Sequence, residues 1–520
     1  MPRTATPEPR LKGLIGEVDG DRWFWGILGT VVLWKLMAGA FLGLIFDECY
    51  YWVWALHPQA CYFDHPPLVA WSIMAGRSFL GHQELAVRSG AIISGIILSL
   101  AGRILAREQF GQAAGNRAGI FLTLAPIFAG NAFLMTPDTW LAPAWALAML
   151  FAWKGLQKNS LLWWAASGAA TGVGLLSKYT MILFFGGLAL LWITSPGKRG
   201  RVFLGSLVAG IVALIFFIPV IQWNAAHHWA SFAHQIHHGF RNEQAVWIHI
   251  DFLANYALFL VVLVSPGLGL LCFRSAVDFA DERFRFLSAF FWAVVAFFAY
   301  SALKAHIEAN WPMMAFVSGL ILVAGDWERF GHNWRRASLL ILAIADGVAV
   351  LGISLLILTG SALTPWLSTQ PDFGWIGCWT GSPLLAREAS RNIADLQAKL
   401  SEILGPREVA DRVASEFRSS GADFLCADTY QTFGVLSYYQ PELESSLWLP
   451  IHGRKRFPWI NEGAWTGKDG LTAEWPRAGC NFNQLFREPG KTRQVLLPGV
   501  ARPLSLTLNK GYDPTRIREE

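Results

Sequence analysis

Apolar runs long enough to cross a lipid bilayer recur from Trp23 to Leu358, and this pattern excludes most of what a chain of 520 residues could otherwise become. A helix rises about 1.5 Å per residue, so roughly 20 apolar residues cross the hydrocarbon core. A soluble chain could bury as much apolar surface by dividing into domains, but it would interrupt such runs with polar positions. Charged residues make up 15% of this chain, against ~25% in soluble proteins. Its 26 tryptophans suit the two membrane interfaces, where that side chain collects. The predicted fold is all-α and polytopic, with about eleven spans at 23–46, 85–106, 117–136, 141–156, 161–177, 180–194, 202–222, 252–273, 286–303, 311–325 and 339–358.

Orientation follows from the basic residues of the short loops. One set of alternate loops holds Arg103 with Arg107, Lys154 with Lys158, Lys198 with Arg199 and Arg201, Arg283 with Arg285, and Arg335 with Arg336. The opposite set is poor in Lys and Arg and carries Asp47, Glu48, Asp64, Asp138 and the histidines around His234. Cytoplasmic loops carry the excess of positive charge, so residues 1–22 are predicted to be a cytoplasmic tail. Residues 23–359 form the membrane domain, with outer loops 47–84 and 222–251, and residues 360–520 form an extracytoplasmic domain. The first apolar run is too long for the core of a signal peptide and reads as a retained span. In the last part the composition changes. Ile393, Leu396, Leu400, Ile403 and Leu404 recur at helical spacing among charges within 384–418, and strand-like runs follow at 423–427, 447–451 and 504–508. A small α/β domain is expected there.

The net charge of +5 is sorted by membrane side and leaves no nucleic-acid footprint. The six cysteines form no CxxC pair, which speaks against a zinc or thioredoxin-like motif. An outer compartment would permit disulfides between Cys49 and Cys61 or between Cys378 and Cys480.

A charged side chain at membrane depth costs about 2.5–3.5 kcal/mol on insertion scales, so polar clusters at span ends need a reason. Four lie on the outer face. The first is Phe46-Asp47-Glu48-Cys49-Tyr50-Tyr51-Trp52, continued by Tyr62-Phe63-Asp64-His65-Pro66-Pro67-Leu68. Adjacent carboxylates at the mouth of a span could cap a helix or pair with an interfacial cation. Beside an aromatic run and a His-Pro-Pro turn they also suit proton transfer, with Asp47 accepting a proton from an incoming hydroxyl. The second is Thr136-Pro137-Asp138, ordinary turn chemistry taken alone but on the same face as Asp47. The third is Ser177-Lys178-Tyr179, whose lysine could snorkel to the interface or hold a phosphate. The run before it does not fit GxxxxGK[ST], which argues against a nucleotide site. The fourth, Lys304-Ala305-His306-Ile307-Glu308-Ala309-Asn310-Trp311-Pro312, packs Lys304, Glu308 and Asn310 into one short loop. In the long outer loop, His234, His237 and His238 would share a helix face, as metal ligands can, and as amphipathic interfacial helices also do.

These motifs occur in order with Arg88 and with Pro219-Val220-Ile221-Gln222-Trp223-Asn224 through Trp229-Ala230-Ser231-Phe232. Together they resemble the membrane-embedded GT-C glycosyltransferases that take sugars from polyprenyl phosphates. The likeness is to the bacterial branch related to protein mannosyltransferases and to the aminoarabinose and galacturonic acid transferases acting on lipid A, and it covers roughly Asp47 to Pro312. The resemblance implies a GT-C fold in a bacterial inner membrane, with Asp47 as catalytic carboxylate, Glu48 beside it and Asp138 as a second acidic site residue. It places the Asp64-His65-Pro66-Pro67 turn against the donor phosphate and offers Arg88, Lys178 and Lys304 to hold that phosphate. Tyr179, Glu308 and Asn310 complete the substrate site. The aminoarabinose branch usually has Lys where this chain has His65, which makes phosphate contact there depend on pH.

The function so implied is transfer of a sugar from a polyprenyl-phosphate donor to a lipid or glycan acceptor such as lipid A. Basic residues would neutralise the leaving phosphate, Asp47 would act as general base, and in-line attack would invert the anomeric carbon. No cofactor is required, although a divalent metal is left open. A protein O-mannosyltransferase is a second reading, disfavoured because no large peptide-binding insertion is present. A lipid-linked sugar flippase or transporter is a third. It would be expected to show inverted repeats and charges near mid-membrane, and the two halves show no repeat.

Overall fold

In lipid, a backbone can satisfy its own polar groups within one segment only as a helix, and the described residues up to 359 are helical almost throughout. The computed structural model describes residues 17–240, 250–262, 264–359, 406–448, 456–474 apart from 458 and 461, 482–495 and 504–513. After α1 (Glu17–Phe41), the short helices α2 (Phe46–Leu56) and α3 (Leu68–Leu80) occupy the expected outer loop, and α4 (Glu84–Phe110) follows. Next come α5 (Gln112–Leu124), α6 (Pro126–Asn131), α7 (Leu141–Lys158), α8 (Leu161–Ser177), α9 (Leu183–Thr194), α10 (Arg199–Ala226) and α11 (Ala230–Phe240). The helical part closes with α12 (Ile250–Val262), α13 (Pro266–Ser275), α14 (Glu282–Ala302), α15 (Met313–Asp326) and α16 (His332–Thr359).

Among the described residues, four helices are long and apolar enough to cross a bilayer: Gly20–Phe41, Glu84–Phe110, Pro196–Ala226 and Glu282–Ala302. Phe252–Val261 and Pro266–Ser275 make a fifth candidate, bent by 96°. The expected set of about eleven is therefore not a set of uninterrupted helices. Proline lacks an amide hydrogen and its ring clashes with the preceding turn. Pro126 accordingly divides the run 117–136 into α5 and α6, and Pro266 divides the run 252–273 into α12 and α13. The run 180–194 opens instead with a 3-10 turn over Tyr179–Ile182.

Close packing replaces length in the centre of the bundle. Gly168 and Gly172 lie one turn apart on α8, and a Cβ at either would come within 2.5 Å of the Ala209 carbonyl oxygen or 2.6 Å of Phe216 Cβ on α10. Small residues at such spacing let membrane helices touch backbone to backbone. Trp145 on α7 stands edge-on to Phe184 and Phe290, with ring centroids 5.5 and 6.1 Å apart. The opposite face of α10 exposes Leu207, Ile211 and Ile215, as a lipid-facing surface would.

Beyond the bundle, α17 (Pro406–Ser420) precedes β1 (Phe424–Ala427), α18 (Tyr430–Tyr439) and β2 (Leu447–Trp448). The strands β3 (Gly470–Glu474), β4 (Phe486–Glu488), β5 (Thr492–Val495) and β6 (Leu504–Tyr512) complete one sheet of order β2-β1-β3-β6-β4, with β5 also on β6. β1 runs parallel to both β2 and β3, whereas β6 is antiparallel to its neighbours. The runs expected at 423–427 and 504–508 are strands. The run at 447–451 is a strand through Trp448, its remainder lying outside the described residues, as does 384–405 of the amphipathic stretch. Cys49 and Cys61 are free thiols, so they form no disulfide with each other; Cys378 and Cys480 lie outside the described residues.

This α/β unit seats α18 directly on α2. A Cβ on Gly434 would stand 2.7 Å from Tyr50 N and 2.8 Å from Tyr50 Cα, so glycine alone permits the crossing. Gly434→Ala should therefore separate the two helices and cost about 1–3 kcal/mol, the usual penalty of overpacking. A fall in the melting temperature of the purified protein, with faster proteolysis within 406–513, would show it; unchanged melting would mean the contact has slack.

Candidate active site

Glu48 is the first carboxylate to be fixed. It sits in the first turn of α2, completely buried at 0% exposure, against the equally buried Arg88 of α4 at 1%. Arg88 Nη2 donates to Glu48 Oε2 at 2.6 Å and Nε donates to Oε1 at 2.9 Å, the bidentate geometry that makes such pairs strong. Glu48 also accepts the amides of Ile45 and Met135, both at 3.2 Å. Arg88 donates further to the carbonyls of Leu42 and Gly43, at 2.7 and 2.8 Å. The pair thus ties together the end of α1, the start of α2, the first turns of α4 and the loop before Asp138. The structure thus sets Glu48, expected beside Asp47 in the chemistry, and Arg88, expected at the donor phosphate, against each other.

Asp138 gathers three of the sequence motifs. Lys178 Nζ donates to both of its oxygens at 2.9 Å, and Asn310 Nδ2 donates to Oδ2 at 2.8 Å. The break between α8 and the following 3-10 turn makes this possible, since Lys178 takes an extended backbone (φ −152°, ψ 139°) there. Ser177 Oγ donates to the Pro137 carbonyl at 2.5 Å and holds the same two loops together. Lys178 is therefore neither snorkelled nor free, as both it and Asp138 are buried.

Asp64 is held from three directions. Arg456 donates to it through Nε and Nη2, each at 3.1 Å, His234 Nε2 lies 3.1 Å away, and the Tyr50 hydroxyl donates to Oδ2. Burial alone would push this carboxyl upward. The contacts from His234, Arg456 and Tyr50 outweigh it and hold Asp64 well below the usual carboxylate range. The backbone carbonyl of Asp64 accepts from Gln235 Nε2 at 2.6 Å, so α11 closes over this turn. A carboxylate held in this way organises the turn.

Asp47 differs from all three. It is half-buried, and Gln431 Nε2 of α18 donates to its Oδ1 at 3.0 Å. Among the described residues no cation pairs with it. Burial raises its carboxyl above the ordinary value, the Gln431 bond opposes that rise, and the charges of Glu48 and Asp64 add to it. Tyr51, one turn along α2, feels Asp47, Asp64 and Asp138 together, which with its own burial lifts its phenol far above normal.

The remaining candidates lie around this cluster. Lys304 Nζ donates to the Tyr300 hydroxyl at 2.6 Å and stands 4.5 Å from the centre of that ring, with no carboxylate partner among the described residues. The His65 ring lies 6.4 Å from that of Tyr51, and Glu308 is exposed. Tyr179 turns away from the carboxylates and shares a hydrogen bond with Ser231 at 2.7 Å and a contact with Cys61 Sγ at 3.3 Å. Asn224 secures the α10–α11 corner by donating to the Val220 carbonyl and accepting the Phe232 amide. His234 is engaged by Asp64, His237 is exposed, and the side chain of His238 lies outside the described residues. Among the described residues no group of three or more His, Cys, Asp or Glu is placed to hold a metal. Gln431 and Arg456 were not singled out from the sequence. The one available signal was the basic run Arg454-Lys455-Arg456, unusual on a face otherwise poor in cations.

Residues 64–223 match the family model described as dolichyl-phosphate-mannose-protein mannosyltransferase. The lipid A galacturonosyltransferase RgtD of Rhizobium johnstonii is 24% identical over 321 residues, covering 59% of this chain and 64% of that protein. The undecaprenyl phosphate-alpha-4-amino-4-deoxy-L-arabinose arabinosyl transferase of Edwardsiella ictaluri is 26% identical over 337 residues, or 60% and 58%. The chain thus spans less than two thirds of either relative's length. The crystal structure of ArnT from Cupriavidus metallidurans bound to undecaprenyl phosphate superposes with a TM-score of 0.62 at 16% identity, over 93% of this chain and 98% of that one. These matches support a GT-C, aminoarabinose-transferase-like family for the chain. The segment matched by the family model includes Arg88, Asp138, Lys178 and Tyr179 and begins at Asp64. Asp47 lies outside it and joins the cluster through the packing of α2.

Removing one member of a buried ion pair strands the other, at a cost of about 3–5 kcal/mol. Arg88→Met should therefore sharply reduce the yield and melting temperature of detergent-purified protein. The double variant Glu48→Gln, Arg88→Met should recover part of that loss, and a double variant no better than the single one would refute the pairing as the cause.

Proposed function

We propose that the protein transfers a sugar from a polyprenyl-phosphate donor to a lipid or glycan acceptor, lipid A included, on the outer face of a bacterial inner membrane. Charge pairing carries this reading. Of four carboxylates gathered together, Glu48 is neutralised by Arg88, Asp64 by Arg456 with the His234 ring beside it, and Asp138 by Lys178. Asp47 alone of the four has no cation partner among the described residues, and a neutral amide, that of Gln431, meets it. A carboxylate without a cation, half-buried and raised, is the one suited to take a proton near neutral pH.

The acceptor hydroxyl oxygen then attacks the anomeric carbon while its proton passes to Asp47. The bond from that carbon to the phosphate oxygen breaks, and polyprenyl phosphate leaves with the electron pair, so the configuration inverts. Lys304 is the candidate cation for the leaving phosphate because no carboxylate among the described residues claims it, and His65 lies close to the Tyr51 centre. With a phosphate as acceptor, the nucleophile is already anionic and Asp47 orients it. The relatives named for lipid A galacturonosyl and aminoarabinosyl transfer, and a structural neighbour holding undecaprenyl phosphate, support these substrate classes. In the proposed topology residues 1–22 are cytoplasmic and 360–520 periplasmic, and short or broken helices supply the crossings beyond the long ones.

Asp47→Asn should lower transfer of labelled sugar from polyprenyl-phosphate donors by at least about 100-fold, the scale of a lost general base, while melting stays as in wild type. Full activity of this variant, or movement of the sugar lipid between leaflets without transfer, would overturn the reading. The base must be ionised, so activity is present above its pKa and lost as pH falls through it. Because that pKa is raised, the acid limb of kcat/KM should lie above the ~3.9 of an unperturbed aspartate. A limb at or below that value would exclude Asp47 as the titrating group.

A further inference from the structure

The α/β unit does more than cover the outer face. β1 lies between two parallel neighbours, β2 and β3, and the turn at its carboxyl end opens into α18, the position where open parallel sheets present groups to ligands. Thr429 caps α18 by accepting the Thr432 amide at 3.1 Å, and Thr432 Oγ1 donates to Asp428 at 2.9 Å, so this turn is built rigidly. Gln431 sits in the first turn of α18 and Gly434 one turn later, and residues three apart share a helix face. Asp47 and Tyr50 are spaced in the same way on α2. The backbone contact at Gly434 and Tyr50 therefore sets the register of the adjacent pair, Gln431 and Asp47.

We infer that Gln431 is a positioning residue for Asp47, supplied to the reaction site by the C-terminal α/β unit. Its amide donates to Oδ1 at 3.0 Å and fixes the carboxylate plane, which directs Oδ2 toward the acceptor hydroxyl. An amide suits this task because it donates to the ionised base without cancelling its charge, whereas a cation there would hold the carboxylate in its ionised form too firmly to accept a proton. The inference rests on Asp47 being the base. The other ionisable groups around Asp47 are Glu48 with Arg88, Tyr51 on its own helix, Asp64 with Arg456 and His234, Asp138 with Lys178 beyond Tyr51, and Tyr430 beside Gln431. The carboxylates among them are each held by a cation, which leaves Gln431 as the contact whose removal changes Asp47 most.

The test compares full-length wild type, Gln431→Leu, Gln431→Glu and Asp47→Asn in the same labelled-sugar transfer assay, with pH profiles of kcat/KM and melting curves. Gln431→Leu removes the donor and should displace the acid limb upward by roughly one pH unit, the scale of a hydrogen bond to a charged group. It should also lower kcat about tenfold or more, with KM little changed. Gln431→Glu keeps the volume, sets a second carboxylate against the base and should displace the limb further in the same direction. This variant gives the reading if Gln431→Leu does not fold. The double variant Asp47→Asn, Gln431→Leu should be no slower than Asp47→Asn. A wild-type limb and rate in folded Gln431 variants, beside an inactive Asp47→Asn, would overturn the role of Gln431 and leave the base intact. An active Asp47→Asn would remove the base and, with it, this inference.

Discussion

The outer end of this molecule depends on a buried ion pair. Glu48 and Arg88 are both withdrawn from solvent, and such withdrawal costs several kcal/mol per ion unless geometry and further hydrogen bonds compensate. Here they do. Glu48 accepts four hydrogen bonds and Arg88 donates to two helix-end carbonyls as well as to Glu48. Those carbonyls belong to Leu42 and Gly43, just past the end of α1, and the Met135 amide leads directly into the Asp138 turn. The position of α2 follows from this one contact, and with it the placement of Asp47, Tyr50 and Tyr51. An apolar pair of equal volume could fill the space, but it could not also satisfy the backbone groups of Leu42, Gly43, Ile45 and Met135.

Pairing elsewhere sharpens what is left. Lys178 and Arg456 neutralise Asp138 and Asp64, so the outer cluster carries its charges in fixed couples. Asp64 sits below the usual carboxylate range and Asp47 above it, although they lie near enough to influence one another. A depressed carboxyl stabilises the fold above its unfolded pKa and loses that contribution as pH falls through the folded value. A raised one does the reverse, so an ionised Asp47 costs stability at neutral pH. The fold carries that cost at the residue proposed to do chemistry and recovers stability at its neighbours, the separation of environments that assigns different roles to similar groups.

Much of this was legible in the sequence, and what was not has a physical cause. Bilayer-length runs reported a mostly helical chain with apolar spans, and the order of the polar motifs reported residues that the fold brings together. Asp138, Lys178 and Asn310 were singled out separately and prove to touch. The sequence could not show that Glu48 and Arg88 would cancel, because a charge at a span end looks the same whether its partner is substrate or protein. Helix breaks at Pro126 and Pro266 were visible as prolines, but hydropathy averages over them and reads one span in place of two segments. Gln431 and Arg456 were beyond reach for a different reason. Their partners lie 384 and 392 residues away along the chain, and neither local periodicity nor motif spacing carries information over that distance.

The choice of those two side chains follows from their partners. An arginine at 431 would pin Asp47 in its ionised form with a bidentate bond, depressing its pKa and removing its capacity to accept a proton. A glutamine at 456 would leave Asp64 with Tyr50 and His234 but without its arginine, and the less compensated charge would push Asp47 further upward. Cation on Asp64 and amide on Asp47 is the arrangement that keeps one carboxylate silent and the other available. Both groups come from the same α/β unit, seated by Gly434 against Tyr50, and Arg456 also lies 4.6 Å from the centre of the Tyr430 ring next to Gln431. The unit therefore sets the two environments together, and any shift of α18 on α2 changes the state of both carboxylates at once.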